Sequence, residues 1–195
     1  MFQKCLLRTI VALQPELLGP ATPTAIEWAL EEQYTNRVMH GHGLVIAVLG
    51  VEWVGEGRIF HSDGKVYYEV VWSGLLFCPE TGELLMARVQ SQNARGMFLS
   101  NDFFEDFYIP RQNMEEETRW DREKRRWVYC PDEETEMEFE TGRNILVRVY
   151  ALEFKTGHEV DSESSRFNVN CRINTPCLGM LNWDWENEEG SEDDE

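Results

Sequence analysis

The sequence predicts two folded halves: an α+β domain with one main helix on a twisted antiparallel sheet, then an all-β barrel of the OB type. Three observations predict this arrangement. Apolar residues recur at steps of four between residues 22 and 38, which is a helical stripe. Strand-like runs flank that stripe at both ends. Beyond Pro79, about five short strand-like segments follow one another with turns and no good helix, the pattern of a small closed barrel.

The first segment alternates loosely, with Cys5, Leu7 and Ile10–Val11 apolar, and reads as a strand. Pro15, Gly19, Pro20 and Pro23 then break the chain. Thr22-Pro23 makes a good helix start, because Thr can cap and Pro at the first helical position gives up no needed N–H. Ile26, Leu30, Tyr34 and Val38 form the apolar stripe, with Glu27, Glu31 and Glu32 early and Arg37 late, as the helix dipole favours. After His40-Gly41-His42-Gly43, the apolar run Leu44–Leu49 suits a central strand. Arg58–Phe60 and Ser62-Asp63-Gly64 make a hairpin corner, and Val66–Phe77 is rich in β-branched and aromatic residues.

Pro79-Glu80-Thr81-Gly82 is a turn and sets the expected boundary: domains at 1–79 and 80–185, then an acidic tail at 186–195. The expected barrel strands are Glu83–Ser91, Gly96–Ser100, Phe104–Ile109, Arg126–Cys130 and Ile145–Phe154. Asn113–Arg125 is a charged insert, and Lys155–Ser165 reads as a surface loop. Leu178–Trp183 is apolar enough to dock before the tail leaves the fold.

The 195 residues carry a formal net charge of −18, which argues against the simplest nucleic-acid binder, a domain with a bulk basic excess. The charge is unevenly spread. Residues 1–79 hold 5 basic and 8 acidic side chains, residues 80–185 hold 13 and 21, and the last ten hold none and 7. Such an end is read as a disordered, solvated tail or an interaction tail. No span approaches the ~18 uncharged apolar residues that a membrane helix needs. The short apolar stretch around Lys4 and Arg8 is not read as a signal peptide, since Gln14, Pro15 and Glu16 interrupt it. Five scattered cysteines, Cys5, Cys78, Cys130, Cys171 and Cys177, fit reduced packing thiols in an intracellular compartment.

No catalytic constellation is present: there is no phosphate loop, no nucleophile elbow and no His-Glu-x-x-His. His40 and His42 have no Cys or carboxylate cluster beside them, Cys171 and Cys177 lack structural-zinc spacing, and no metal or cofactor is expected. Two features point to nucleic acid. Residues 119–126 count 5 basic and 2 acidic side chains, with Trp120 and Trp127 around them, so Arg125 and Arg126 can meet phosphates. The alternative is a solvated hairpin whose tryptophans pack on the barrel. The second feature is the aromatic stretch Phe98, Phe103, Phe104, Phe107 and Tyr108 with Arg88, Arg95 and Arg111 nearby, on the strands where OB folds stack bases. Strand alternation sends half of these aromatics into the core.

The order of segments resembles the RNA polymerase stalk subunits, a family with archaeal members and eukaryotic counterparts. The carriers are Leu13-Gln14-Pro15 to Gly19-Pro20, the helix, Gly43–Val48, Gly57-Arg58-Ile59-Phe60 with Asp63-Gly64, and Leu76–Pro79 followed by Gly82-Glu83. Phe103–Pro110, the Trp120-Asp121…Arg126–Tyr129 insert and the ending Leu178–Trp183 are similar to the RNA polymerase III version. His61 stands where the family commonly has Pro, and Ala87 where Gly is frequent. The resemblance implies a truncated ribonucleoprotein-like N-terminal domain and a C-terminal OB domain in a non-catalytic nuclear subunit. It would pair with a smaller helical stalk subunit as a heterodimer on the polymerase III core, act in transcription initiation with initiation factors, and bind emerging single-stranded RNA weakly. The expected RNA-binding residues are Arg88, Arg95, Phe98, Phe104, Tyr108, Arg111, Arg125 and Arg126. The expected partner and core contacts are Leu17, Leu18, Gly19, Pro20, Arg58, Ile59, Phe60, Leu178 and Met180. The competing readings are a stalk subunit of RNA polymerase II or of an archaeal polymerase, a free-standing OB-fold RNA-binding factor, and a small hydrolase.

Overall fold

The structure, a computed structural model, describes residues 1–19, 21–59, 63–155, 167–175 and 177–183. Pro20, Phe60, His61, Ser62, all but the first residue of the expected loop at Lys155–Ser165 and the acidic segment 186–195 lie outside the described residues. The chain divides into two units, Met1–Pro79 and Glu80–Glu195.

In the first unit, strand alternation decides which side chains meet the helix. β1 (Phe2–Leu13) buries Leu7, Val11 and Leu13, while Leu6 and Ile10 face outward. Helix α1 (Thr22–Tyr34) follows, then β2 (Val38–Met39), β3 (Gly43–Val54), β4 (Arg58–Ile59) and β5 (Val66–Phe77). The sheet order is β1-β5-β3-β2, with β4 also on β5, so β5 is the strand that both other long strands pair with. β1 runs against β5 in unbroken register from Phe2↔Phe77 to Leu13↔Val66. The β3–β5 register shifts three times, between Val45/Ala47, Val48/Gly50 and Val51/Trp53, and such bulges increase the twist. Ala25, Ile26 and Leu30 of α1 lie in one core with Val45, Val70, Trp72 and Leu76, and Tyr34 packs on Trp72 at 5.2 Å between ring centroids.

The helix is shorter than the stripe suggests. Its cap residue is Ala21, Thr22 lies inside the first turn, and its hydroxyl reaches back to Gly19 instead of capping. Thr35 ends it, Asn36 turns with φ 58°, and Val38 belongs to β2, so Arg37 falls beyond the helix. Gly43 is required where β3 begins. Its φ is 99°, and a Cβ there would lie 2.9 Å from the Cys78 side chain.

The second unit begins with β6 (Leu84–Asn93), β7 (Gly96–Ser100) and β8 (Phe107–Pro110), an antiparallel meander. β9 (Thr118–Asp121), β10 (Arg126–Tyr129) and β11 (Met137–Glu138) form a separate three-stranded sheet in the order β11-β10-β9. β12 (Asn144–Phe154), β13 (Phe167–Arg172) and β14 (Gly179–Met180) complete the chain. β12 pairs with β6, and β13 pairs with both β12 and β8, closing a five-stranded barrel. The β8–β13 pair is parallel. Arg126–Cys130 is therefore not a barrel strand. The fifth strand is β13, whose alternation of Phe167, Val169 and Cys171 inward with Asn168, Asn170 and Arg172 between them is hidden in the sequence behind a polar stretch. Of the five thiols only Cys171 is buried, and burial pushes its pKa up to about 12. Cys177 is exposed, so it is not a packing residue.

The small sheet is latched to the barrel by one β6 side chain, that of Gln92, and one β6 backbone carbonyl, that of Asn93. The Trp127 amide donates to the Gln92 side-chain oxygen at 2.9 Å, and the Trp127 indole donates to the Asn93 carbonyl at 2.9 Å. The Gln92 amide donates to the Phe139 carbonyl at 2.5 Å. Trp127 is buried, with Trp120 edge-on to it at 5.5 Å. Of the basic residues in the β9–β10 hairpin, Arg119 pairs with Glu136, while Lys124 and Arg126 both donate to Glu138 at 2.5 Å. The Lys124 ammonium, more than Arg126, holds the Glu138 carboxyl below its ordinary 4.5, against partial burial.

Leu30 is fully buried under the sheet, so Leu30→Ala is expected to cost about 2–5 kcal/mol, read as an earlier urea-unfolding transition, whereas Glu31→Ala on the exposed face moves it by less than about 0.5 kcal/mol. Because the Glu138 value is depressed in the fold, its contribution is present above about pH 4.5 and is lost as pH falls through the lowered value. Denaturation midpoints followed from about pH 6 to about pH 3 should therefore fall more steeply for the wild type than for Glu138→Gln.

Candidate nucleic-acid interface on the barrel

The turn between β6 and β7 sets the geometry of one barrel wall. The Asn93 side-chain oxygen accepts from the Arg95 amide at 2.8 Å and the Gly96 amide at 3.1 Å, tightening a turn that points the Arg95 side chain outward. A Cβ at Gly96 would lie 2.7 Å from the Tyr108 hydroxyl, so only glycine lets Tyr108 cross this point. The hydroxyl then donates to the Arg95 carbonyl at 3.0 Å, and the Arg111 amide donates to the same carbonyl at 3.0 Å. Phe98 lies opposite Tyr108 in the β7–β8 register, with ring centroids 4.9 Å apart and tilted by 38°. Burial raises the Tyr108 pKa, opposed by Arg95, so the phenol stays a neutral donor.

These residues open onto a cleft of about 480 Å³ lined by Arg95, Phe98 and Tyr108, by Asn168 and Asn170 of β13, and by Glu105, Asp106 and Glu153. Phe98, 40% exposed, is part of its lining. A neighbouring cleft of about 540 Å³ also includes Arg95, with Arg111, Gln112 and Glu115. The Glu115 carboxyl is raised by partial burial and by Glu117 and Glu116. Arg88 lies apart, on a cleft of about 270 Å³ with Ser100, Asp102 and Asn144. Among the described residues, Arg88, Arg95, Arg111, Arg122 and Arg125 make no ion pair.

The structure thus brings Arg95, Phe98, Tyr108 and Arg111 together and separates them from the rest of the expected set. Phe104 is a correction: it is 4% exposed, edge-on to Phe107 at 4.9 Å and 5.4 Å from Phe167, and so belongs to the core. Arg126 is held by Glu138, while Arg125 stands at a turn with φ 53°. Among the expected partner contacts, Leu178 and Met180 are also corrected. They are 5% and 1% exposed, so their side chains serve packing. Leu17, Leu18, Gly19, Arg58 and Ile59 are exposed, Ile59 at 67%. Pro20 and Phe60 lie outside the described residues.

Sequence reasoning missed two features. Glu105, Asp106, Asn168 and Asn170 had no signal as cleft residues, because the last two come from the unrecognised strand β13. The outer face of the first unit's sheet carries Leu6, Ile10, Leu49 and Trp53, each about half exposed or more. The doublet Leu6-Leu7 and the run to Leu49 concealed which apolar residues face outward.

Residues 83–168 match the family described as RNA polymerase III subunit Rpc25. Residues 8–64 match the SHS2 domain found in the N terminus of Rpb7p/Rpc25p/MJ0397. The chain is 27% identical over 150 residues to the DNA-directed RNA polymerase III subunit rpc8 of Schizosaccharomyces pombe, covering 74% of each chain. It is 27% identical over 150 residues to the RPC8 subunit of Saccharomyces cerevisiae, covering 76% of this chain and 71% of that one. With the Bos taurus RPC8 subunit it shares 22% identity over 176 residues, covering 82% and 86%. One match falls on the helix-and-sheet unit, the other on the barrel and its inserted sheet. In that order on one chain, they show that it belongs to the Rpb7/Rpc25 family of non-catalytic RNA polymerase stalk subunits, on its RNA polymerase III side.

Proposed function

We propose that this chain is the stalk subunit of a nuclear RNA polymerase III, paired with a second, helical stalk subunit and acting in transcription initiation. The observation that carries this reading is the Rpc25 match over residues 83–168, which takes in the inserted β9–β11 sheet along with most of the barrel. The relatives at 27% identity are named as subunits of RNA polymerase III.

The two units divide the work. Exposed Leu17, Leu18 and Ile59, with Leu6, Ile10 and Trp53 on the outer sheet face, give the first unit apolar surface for an obligate partner or the polymerase core. The barrel meets emerging transcript at the Arg95–Phe98–Tyr108–Arg111 wall. One base stacking on Phe98 contributes about 1–3 kcal/mol, and the two arginines meet the adjoining phosphates. Glu105, Asp106 and Glu153 oppose a dense run of phosphates in the same cleft, which keeps the contact weak.

Affinity purification of the native protein, followed by identification of the co-purifying chains, tests the assignment. RNA polymerase III core subunits and one helical partner are expected. Recovery of polymerase II subunits would transfer the chain to the other branch, and recovery of none would sink the stalk reading. Within the purified enzyme, Phe98→Ala combined with Arg95→Ala should lower transcript crosslinking to this chain at least about 5-fold, since one base stack alone contributes about 1–3 kcal/mol. Unchanged crosslinking would remove this wall from the RNA path.

A further inference from the structure

We propose that the first half of β6 is a docking edge for an extended, acidic segment of a partner protein, which adds a strand where β7 stops. The ladder fixes which backbone groups are open. The Val89 amide donates to the Arg143 carbonyl at 3.0 Å and the Val149 amide to the Glu83 carbonyl at 2.9 Å, so residues 83 and 89 both face β12. Bonding alternates along an antiparallel strand. Leu85 and Ala87 therefore also face β12, while Leu84, Met86 and Arg88 turn their N–H and C=O groups the other way. On that side Arg88 meets Ser100, the last residue of β7. Leu84 and Met86 have no strand beside them, which leaves two amides and two carbonyls without a backbone partner among the described residues.

β7 stops because Asn101 turns the chain away. Its side-chain oxygen accepts from the Phe103 and Phe104 amides at 3.3 and 2.8 Å, and its own amide donates to the Phe104 carbonyl at 2.9 Å. Phe104 is drawn into the core by this turn. The cleft of about 270 Å³ lined by Met86, Arg88, Ser100 and Asp102 lies where the two strands part.

The side chains around the edge select the occupant. Leu84 and Met86 are 49% and 59% exposed. With Arg88, and with Asn144, Leu146 and Arg148 of β12, they make an outward patch of three apolar residues, two arginines and no carboxylate, on a chain of net charge −18. Arg148 is engaged by the Gly82 carbonyl at 3.0 Å, whereas Arg88 makes no ion pair among the described residues. A strand with apolar residues at alternate positions covers Leu84 and Met86, and a carboxylate on it pairs with Arg88. Asp102 is the one carboxylate of the cleft lining, so the partner's acid is placed at Arg88 and not farther along the edge. A nucleotide strand carries no matching row of amides and carbonyls, and none of the cleft's described lining residues is aromatic for a base to stack on. A second copy would bring its own charge of −18 to the contact.

The test is hydrogen exchange at single amides. In the purified full chain, Leu84 and Met86 are expected to exchange at least about 10-fold faster than Leu85 and Ala87. In the assembly recovered by affinity purification of the native protein and treated with ribonuclease, both should slow at least about 10-fold. This arm does not depend on which chains co-purify, so failure of the stalk reading leaves it standing. Equal exchange in the free chain and the assembly would overturn the docking. Protection lost on ribonuclease treatment would give the edge to RNA, and protection that grows with the concentration of the free chain would give it to a second copy; either result overturns the proposal. Two acetylated nine-residue peptides that alternate valine and threonine, one with a central glutamate and one with a central lysine, test the chemistry on the full chain. The glutamate peptide should bind about 2- to 5-fold more tightly, and Arg88→Glu should reverse that preference. An N-methylated glutamate peptide should leave the Leu84 and Met86 amides fast. No preference, or no binding, would overturn the acidic partner, and slowing by the methylated peptide would overturn strand addition.

Discussion

The second unit depends on one pairing, the parallel contact of β8 with β13 at Phe107↔Val169 and Tyr108↔Asn170. Without it, β8 and β13 would be open edges and the sheet would remain an unclosed ribbon. With it, each of the five barrel strands has a neighbour on both sides, and the inward residues can fill a core that includes Val89, Leu99, Phe107, Val147, Val149 and Val169. Parallel neighbours cannot be joined by a tight turn, so the chain between them must be long. The small β9–β11 sheet and β12 occupy that connection. Phe104, Phe107, Phe154 and Phe167 seal the seam through ring contacts of 4.7–5.4 Å. The cleft is a product of the same closure, since Tyr108 comes from one side of the seam and Asn168 and Asn170 from the other.

Ion pairing within the inserted sheet decides where an acidic chain can present local positive charge. The formal excess of −18 is not spread evenly, and the structure redistributes it again. In the β9–β10 hairpin, three of five cations are neutralised by Glu136 and Glu138, so most of the basic excess visible in the sequence holds the inserted sheet together. Arg88, Arg95, Arg111, Arg122 and Arg125, which make no ion pair among the described residues, all lie in the second unit. At physiological ionic strength a charge acts over roughly 8 Å. Such isolated cations can position one phosphate each but cannot draw in a polyanion from a distance.

How much was legible follows from how each segment signals itself. The helix stripe Ile26, Leu30, Tyr34 and the apolar strands around it report burial directly, because one face of each element meets the core. The meander β6–β8 was equally plain, since hairpin turns such as Asn93–Gly96 are local. The fifth strand was not, because its partners are β8, some sixty residues away, and β12, across a polar stretch. Arg126–Tyr129 looks like a barrel strand by composition alone. Trp127 is indeed buried, but through the Gln92 and Asn93 latch, which no spacing in the sequence reveals. Alternation halves the aromatic set without saying which half. Phe98 and Tyr108 line the cleft while Phe104 and Phe107 go inward. The ending Leu178–Trp183 reads as apolar enough to dock on the fold, and Leu178 and Met180 are packed accordingly, which removes them as partner contacts; Gly179 is needed because a Cβ there would meet the Trp183 ring at 2.7 Å.

The cleft's mixture of rings and carboxylates constrains what it can hold. A duplex offers stacked base edges and two closely spaced phosphate rows, so Phe98 would find no ring face while Glu105, Asp106 and Glu153 faced added negative charge. A single strand can unstack one base onto Phe98 and turn its backbone toward Arg95 and Arg111, away from those carboxylates. Asn168 and Asn170 carry both donors and acceptors, so they can meet base edges without adding charge. On the RNA-binding proposal, the carboxylates that would lower affinity for nucleic acid in bulk would also favour a single strand in one orientation. A wall of this kind suits a surface held beside a moving strand by protein contacts, where tight binding by the barrel itself would slow release.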